Sequence, residues 1–212
     1  MKAPPPYPTI FRVALLAAVT AGALMSFSAA QGVGLAIMAP DAPRDAEVKL
    51  GVLAGLTPWA KEQEAALKAS RRATFAAIES MGAARVVILL GLSATASMVF
   101  LGALFLRWSA NTPRWAIARL LGRAALAVAF FRTLDGAQEL VITRRATDAA
   151  IKVLIAAEVP DASAGAGYTL GVISALSVGW TAFVVALFLA LGGYFKSEKV
   201  RSLLSATSGD EG

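Results

Sequence analysis

Cysteine and histidine are both absent from the 212-residue chain. Their absence excludes disulfides, thiol nucleophiles and metal sites built from thiolate or imidazole ligands. Charged residues are also scarce, at 16%, whereas 57% of the residues are hydrophobic. A typical soluble domain has roughly 45 to 50% apolar residues, so this composition predicts an integral membrane protein.

Acidic residues are missing from three long parts of the chain, residues 13–40, 86–134 and 162–195. Proton-coupled carriers, ion-driven motors and intramembrane proteases generally need a titratable or acidic group at membrane depth. The sequence therefore disfavours these classes. It also contains no phosphate-binding glycine loop, dinucleotide fingerprint or nucleophile elbow, so we expect a protein that is not an enzyme and that holds no cofactor or metal ion.

Three uncharged runs are long enough to cross a bilayer, which takes about 20 apolar residues in a helix. They are residues 13–38, 86–106 and 168–195. The third run has aromatic residues at both ends, Tyr168 and Tyr194, as is typical of membrane interfaces. We interpret all three as transmembrane helices.

The first run has a second interpretation. Lys2 and Arg12 resemble the basic start of a secretory signal peptide, and the small residues that end at Ala30 resemble its cleavage site. However, the run stays uncharged as far as Pro40, and a cleaved segment needs no such extension. A membrane span is therefore favoured over cleavage, and both interpretations stay open.

A fourth segment, residues 115–134, is apolar but contains Arg119 and Arg123 in its interior and Arg132 near its end. Thr112 and Pro113 supply the start signals of a helix. The apolar part of the segment would be about 26 Å long at 1.5 Å per residue, which is enough for a short crossing. We interpret Arg119 and Arg123 as candidate intramembrane cations that reach lipid headgroups, water or a protein partner.

The alternative to a fourth crossing is a protein with three spans, in which residues 107–160 lie along the membrane surface as amphipathic helices. Four spans place the basic segments on one side, as expected for the cytoplasmic side. Three spans would put the basic tail outside. The favoured division has a cytoplasmic leader (1–12), spans at 13–38, 86–106, 115–134 and 168–195, outer segments at 39–85 and 135–167, a cytoplasmic loop (107–114) and a cytoplasmic tail (196–212).

The two outer segments are expected to be helical and to form a small extracytoplasmic cap. Small residues spaced by three and four predict a seam in each. We expect Gly136 to break the helix that leaves the fourth segment, and residues 160–167 to form a flexible return loop. The seams consist of Ala66, Ala69, Ala73, Ala76, Ser80, Ala83 and Val87 in the first segment, and of Ala146, Ala149, Val153 and Ala156 in the second.

Charged residues appear abruptly where the fourth segment ends. Arg132, Asp135 and Glu139 share one face of a helix. Because they follow the proposed crossing, we expect them to form a solvated stripe outside the hydrocarbon.

Small residues at four-residue spacing predict close helix packing inside the membrane, because they let two backbones approach each other. This packing is either within one chain or between copies of it. Hydroxyl groups cluster at Ser93, Thr95 and Ser97 and form a stripe at Ser174, Ser177 and Thr181; such groups usually bond to the preceding turn or to a neighbouring helix. The packing residues are Ala14, Ala18 and Gly22 in the first run and Gly167, Gly171, Ala175 and Gly179 in the last.

These observations predict an all-α integral membrane protein, a four-helix transmembrane bundle with a helical cap. The net charge of +6 fits anionic lipid better than nucleic acid, because no aromatic and basic nucleic-acid motif accompanies it. Abundant alanine and arginine fit the inner membrane of a bacterium. We expect a non-enzymatic membrane subunit, scaffold or assembly factor that binds the bilayer and either copies of itself or other membrane proteins. The alternatives are an oligomeric channel or transporter component and a ligand-sensing regulator with a separate output partner.

Overall fold

The computed structural model describes residues 8–39, 60–108, 114–160 and 162–207. These residues form helices and no strand, which confirms the all-α prediction. Most of the connection between the first two spans, residues 40–59, lies outside the described residues. The helices are α1 (Thr9–Met38), α2 (Ala60–Trp108), α3 (Arg114–Ala156), α4 (Ala162–Phe195) and α5 (Glu198–Thr207).

Among the described residues, three helices are long and apolar enough to cross a membrane. They are Thr9–Met38, Lys61–Trp108 and Tyr168–Phe195. They contain the three uncharged runs of the sequence and indicate a membrane protein. Helix α3 does not belong to this set, because arginines recur along its apolar half. A fourth crossing therefore stays a prediction.

The break in the long helices lies at a different glycine from the one expected. Helix α3 runs through Gly136 without interruption, so the predicted break at Gly136 is wrong. Gly136 is instead buried at a close approach, where a methyl group would collide with the side chain of Thr181. The interruption is at Gly82 in α2, whose φ of 49° and ψ of −134° are not helical. Only glycine adopts this backbone conformation without strain.

The return from α3 to α4 is shorter than predicted. Helix α3 ends where Glu158 adopts a left-handed φ of 55°, and Val159 N–H donates to the carbonyl of Leu154 at 3.1 Å, as in a Schellman motif. Helix α4 then begins at Ala162, so the flexible loop predicted at residues 160–167 is wrong. The stretch contains no proline after Pro160, and its alanines favour a helix.

The chain divides into two compact units. Unit 1 consists of Met1–Gly32, Ile88–Thr133 and Ala182–Gly212, and unit 2 consists of Val33–Val87 and Leu134–Thr181. Helices α1, α2, α3 and α4 each contribute residues to both units.

The core of unit 1 is built by parts of all five described helices. Phe11, Phe188 and Phe195 are its largest fully buried side chains, and the rings of Phe11 and Phe195 meet edge to face at 6.2 Å. Small and branched residues fill the space between them. The remaining buried members are Leu15, Ala18, Ala29, Leu92, Ala96, Val99, Ala103, Leu106, Ala118, Leu121, Ala124, Ala125, Val128, Ala129, Val184, Leu191, Val200 and Leu204.

Within unit 1, α3 runs antiparallel to α2. Phe131 of α3 lies against Gly91. Ten residues earlier on α3, Leu121 lies beside Gly102, which is further along α2. A short connection between two helices favours this antiparallel pairing. The apolar half of α3 is therefore packed alongside the apolar half of α2.

Helix α5 is a feature that the sequence did not predict, because residues 196–212 were expected to be a simple tail. Val200 and Leu204 are almost fully buried, and Leu203 packs against the same core. Their spacing of three and four residues places them on one helical face. Residues 208–212 lie outside the described residues.

Unit 2 has a smaller apolar core. It contains Ala39, Ala77, Ile78 and Ile142, with Phe75 among the half-buried residues packed against it. The seam predicted for the first outer segment is buried only in part, since Ala66 is buried but Ala76, Ala83 and Val87 are exposed. The buried residues of this part of α2 are instead Ala77 and Ile78. The alanine spacing alone therefore predicts the wrong face of the helix as the packed one.

Candidate functional site

Unit 2 contains a buried polar cluster, which consists of Arg85 of α2 and Asp135 and Gln138 of α3. The Nη1 atom of Arg85 lies 3.5 Å from Oδ1 of Asp135, and it donates a hydrogen bond of 3.3 Å to Oε1 of Gln138. The side chains of Arg85 and Asp135 are only 10% and 3% exposed. One guanidinium thus joins two residues that lie one turn apart on α3.

This burial overturns the expectation of a solvated stripe. Arg132 and Asp135 are buried, with 4% and 2% of their surface exposed, and Glu139 is half-buried. The part of this face that Arg132 and Asp135 form is therefore packed inside the protein, and Glu139 lies at its edge. The reason is visible in unit 2, where α2 supplies the positive charge of Arg85 to the carboxylate of Asp135.

In a buried ion pair of this kind, each charge needs the other to offset the loss of its hydration. Moving two charges out of water costs several kcal/mol per ion, and their attraction recovers this cost only with good geometry and further hydrogen bonds. Gln138 supplies one such bond. The cluster therefore links α2 to α3 through one ion pair and one hydrogen bond, in a part of the protein where the apolar core is small.

A basic cleft opens at the surface of unit 1, with a volume of about 350 Å³. The guanidinium of Arg201 lies over the ring of Trp115 at 5.6 Å and forms an exposed ion pair of 3.6 Å with Glu198. The described residues of the cleft include three cations and one carboxylate, a balance that suits anionic headgroups. Its lining residues are Trp115, Arg119, Lys196, Glu198 and Arg201.

The two arginines that the sequence singled out have different surroundings. Arg119 is exposed and lines the basic cleft. Arg123, one turn further along α3, is exposed but is not among the cleft residues. The structure thus brings Arg119 together with Lys196 and Arg201 and leaves Arg123 outside this group.

The small residues of α1 face the interior of unit 1. Ala18 is fully buried and Ala14 is half-buried against the core. At Gly22, helices α1 and α2 come so close that a methyl group would lie 2.8 Å from the backbone nitrogen of Phe100. This is the close backbone approach that small residues permit.

Three of the small residues of α4, namely Gly171, Ala175 and Gly179, are open instead of packed against other helices. Nothing lies within 4 Å of the position that a methyl group would take at Gly171 or Gly179, and Ala175 between them is exposed. Gly167 is helical, in a part of α4 where the surroundings of side chains are not described. Exposed apolar side chains flank the three residues: Tyr168, Val172, Leu176 and Phe183.

One close approach between two glycines was not predicted from the sequence. Gly122 of α3 and Gly192 of α4 face each other, because a methyl group at either one would lie 3.0 Å from the carbonyl oxygen of the other. Neither glycine is among the packing residues predicted from the sequence, although Gly193 directly follows Gly192 and Ala118 lies four residues before Gly122. The signal that could have found them is the presence of glycine, which is a poor helix former, in the apolar half of α3 and in the last turn of α4.

The described hydroxyl groups of the second span bond within the protein. Ser97 Oγ lies 2.7 Å from Ser26 Oγ, and Ser93 donates to the carbonyl of Ser26 at 3.4 Å. Thr95 donates to the carbonyl of Gly91, one turn earlier, at 2.7 Å. These bonds confirm the prediction that hydroxyls join neighbouring helices or the preceding turn.

Comparison with protein-family models, with curated proteins and with solved structures finds no match. In the described part of the chain, no three acidic residues lie close enough together to hold a metal ion.

Proposed function

We propose that this chain is a non-enzymatic membrane subunit or scaffold that packs laterally, through α4, against a second copy of itself or another membrane protein. It presents a helical region outside the membrane to further partners. The single observation that carries the proposal is the exposed small-residue face of α4, defined by Gly171, Ala175 and Gly179.

The contrast between α1 and α4 supports this proposal. Both helices have small residues at four-residue spacing, but the α1 series is used for contact inside the chain. The α4 series is open, and only 11% of the most apolar stretch of α4 is buried. Lipid provides no hydrophobic force to bring helices together, so small residues that permit close approach are a principal means of association in membranes.

Cross-linking tests the lateral contact directly, because the chain has no cysteine of its own. Ala175→Cys places a single thiol on the exposed face. We expect this variant to form a covalent dimer in native membranes upon mild oxidation. Ser177→Cys, which replaces a half-buried residue of the same helix, is the matched control and should stay monomeric.

Substitutions on the same face provide a second readout. Gly171→Leu combined with Gly179→Leu should abolish the cross-link of the Ala175→Cys variant without lowering the thermal stability of the monomer, since both side chains enter open space. A protein that stays a lone monomer in membranes and in mild detergent, with no cross-link from position 175, would contradict the proposal.

The four-span architecture forms part of the same proposal. Six α3 residues, from Ala118 to Ala129, are buried in the core that α1, α2 and α4 share. A helix that lies along the membrane surface would bury one narrow face against headgroups. The packing of α3 beside the apolar half of α2 supports a crossing instead, with both termini in the cytoplasm and the second half of α3 outside.

A channel or transporter is not favoured by a specific observation. The hydroxyl groups of Ser93, Thr95 and Ser97 bond to their own helix or to α1 and give no support to a hydrated path. The ligand-sensing alternative likewise has no site in the described part of unit 2 that calls for a ligand.

A further inference from the structure

A groove of about 400 Å³ lies between α1 and α2 in unit 1, and we refer to it as the Arg12–Arg107 groove. Ligand pockets of proteins typically measure about 300 to 1,000 Å³. Its lining residues are Arg12, Leu15, Leu16 and Val19 of α1 and Ala103 and Arg107 of α2.

The groove has a cationic end and an apolar end. On α1, Leu15, Leu16 and Val19 follow Arg12 at helical spacing and share its face. On α2, Ala103 lies one turn before Arg107. The two helices are antiparallel in unit 1, because Gly22 lies against Phe100 and Gly32 against Leu89. The two guanidinium groups therefore lie at the same end of the groove, and the aliphatic residues of both helices extend away from them in the same direction.

The two arginines are available to a ligand. Both side chains are exposed, and neither takes part in an ion pair or hydrogen bond formed by the described residues. Among the described residues that line the groove, none has a carboxylate. In the basic cleft, by contrast, Glu198 lies beside the cations and Arg201 is stacked on Trp115.

We propose that the Arg12–Arg107 groove binds one anionic membrane phospholipid, with its phosphate between the two guanidinium groups and an acyl chain along Leu15, Leu16 and Val19. Guanidinium groups bind phosphate oxygens through paired hydrogen bonds. The apolar walls distinguish an acyl chain from a free anion. The two cations, which form no ion pair with a described residue, favour an anionic lipid over a zwitterionic one.

The position of the groove in the helices supports this occupant. Arg12 lies near the start of α1 and Arg107 near the end of α2, and both helices are long and apolar enough to cross a membrane. Their arginines therefore lie where an apolar stretch gives way to charge, the level at which headgroups are found. This inference needs the membrane location but not the lateral contact through α4.

Native mass spectrometry of the full chain in detergent tests the proposal, with phosphatidylglycerol and phosphatidylcholine of identical acyl chains as probes. The wild type should retain phosphatidylglycerol about thirtyfold more tightly than phosphatidylcholine, which matches roughly 1 kcal/mol for each of the two arginines. Arg12→Gln combined with Arg107→Gln should remove this preference. Lys61→Gln combined with Arg144→Gln, an equal loss of charge at two exposed residues of unit 2, should keep it.

Two further measurements distinguish a bound lipid from a free anion. Leu16→Trp, at a groove residue that is 61% exposed, should weaken phosphatidylglycerol binding without any change of charge. Inorganic phosphate at the same concentration should not displace the lipid. If it does, the ligand of the groove is a free anion and not a phospholipid. Equal retention of both lipids by the wild type, or an undiminished preference in the double arginine variant, would overturn the proposal.

Discussion

Single glycines decide how closely the helices of unit 1 approach each other. Gly22→Ala would place a methyl group 2.8 Å from the backbone nitrogen of Phe100 and 3.1 Å from the carbonyl oxygen of Ala96. Backbone atoms cannot move aside as a flexible side chain can. We expect a loss of about 1 to 3 kcal/mol in the free energy of unfolding, measured by denaturation in mixed detergent micelles.

Gly34→Ala is the matched control for this prediction. Gly34 lies in the same helix, and nothing is within 4 Å of the added methyl group. Alanine is the better helix former by up to about 1 kcal/mol, so this variant should be as stable as the wild type or more stable. Equal effects of the two substitutions would show that Gly22 is not at a close helix contact.

The buried polar cluster yields a second prediction at the residue scale. Asp135→Asn leaves Arg85 buried without its counter-ion, and it should cost about 3 to 5 kcal/mol of unfolding free energy. Combining it with Arg85→Met should recover part of the loss, because the unbalanced charge is then gone. Chemical denaturation of the two single variants and the double variant measures this coupling.

An exposed pair on α3 provides the comparison. Asp148 and Lys152 form an ion pair of 2.8 Å, with side chains that are 51% and 74% exposed. Asp148→Asn should change the stability by no more than about 0.5 kcal/mol, because solvent screens such pairs. If Asp135→Asn costs no more than Asp148→Asn, the ion pair that links α2 to α3 does not stabilise the fold.

The sequence shows where these charged residues lie along the chain, but it did not predict that they are buried together. Arg85 begins one apolar run and Asp135 follows another, and residues in such positions are usually solvated. Their pairing depends on the antiparallel packing of α2 and α3, which brings the start of one apolar half beside the end of the other. Local spacing contains no information on this register, so the burial of Asp135 could not be read from its own helix.

At the element scale, the interruption of α2 depends on Gly82. Its φ of 49° and ψ of −134° are accessible to glycine but strained for any other residue. Gly82→Ala should therefore destabilise the protein by about 1 to 3 kcal/mol, although alanine normally favours a helix. Thermal unfolding in detergent, monitored by circular dichroism, provides the measurement.

Gly102→Ala tests the same helix at a regular position. An added methyl group there would lie 3.5 Å from Cβ of Leu121, an ordinary contact. We expect it to leave the melting temperature unchanged or to raise it slightly. A Gly82→Ala variant that is as stable as the Gly102→Ala variant would indicate that α2 is a continuous helix at this position.

The helices themselves were more predictable than their ends. Long uncharged runs identified the apolar parts of α1, α2 and α4, because membrane spans leave a strong signal in hydropathy. Glycine was ambiguous, since the same residue type interrupts α2 at Gly82 but permits close packing at Gly136. Helix α5 is only ten residues long, and its two buried positions, Val200 and Leu204, are too few to stand out in a polar tail.

For the whole molecule, composition was the most reliable guide. It indicated a membrane protein, and three of the described helices are long and apolar enough for that role. Hydropathy cannot decide whether α3 crosses, because Arg119 and Arg123 lower its apolar character while its other face is buried in the core of unit 1. The answer depends on packing between helices, which only the folded arrangement contains.

The central claim is that α3 crosses the membrane alongside α2, so that residues 61 and 148 lie on one side and residue 199 on the other. Because the chain has no cysteine, the single variants Lys61→Cys, Asp148→Cys and Lys199→Cys can be treated with a membrane-impermeant maleimide in intact cells. All three positions are exposed, and labelling after permeabilisation controls for reactivity.

We predict that the thiols at positions 61 and 148 react in intact cells and that the thiol at position 199 reacts only after permeabilisation. Protection of position 148 in cells where position 61 reacts would place these two residues on opposite sides of the membrane and contradict the fourth crossing.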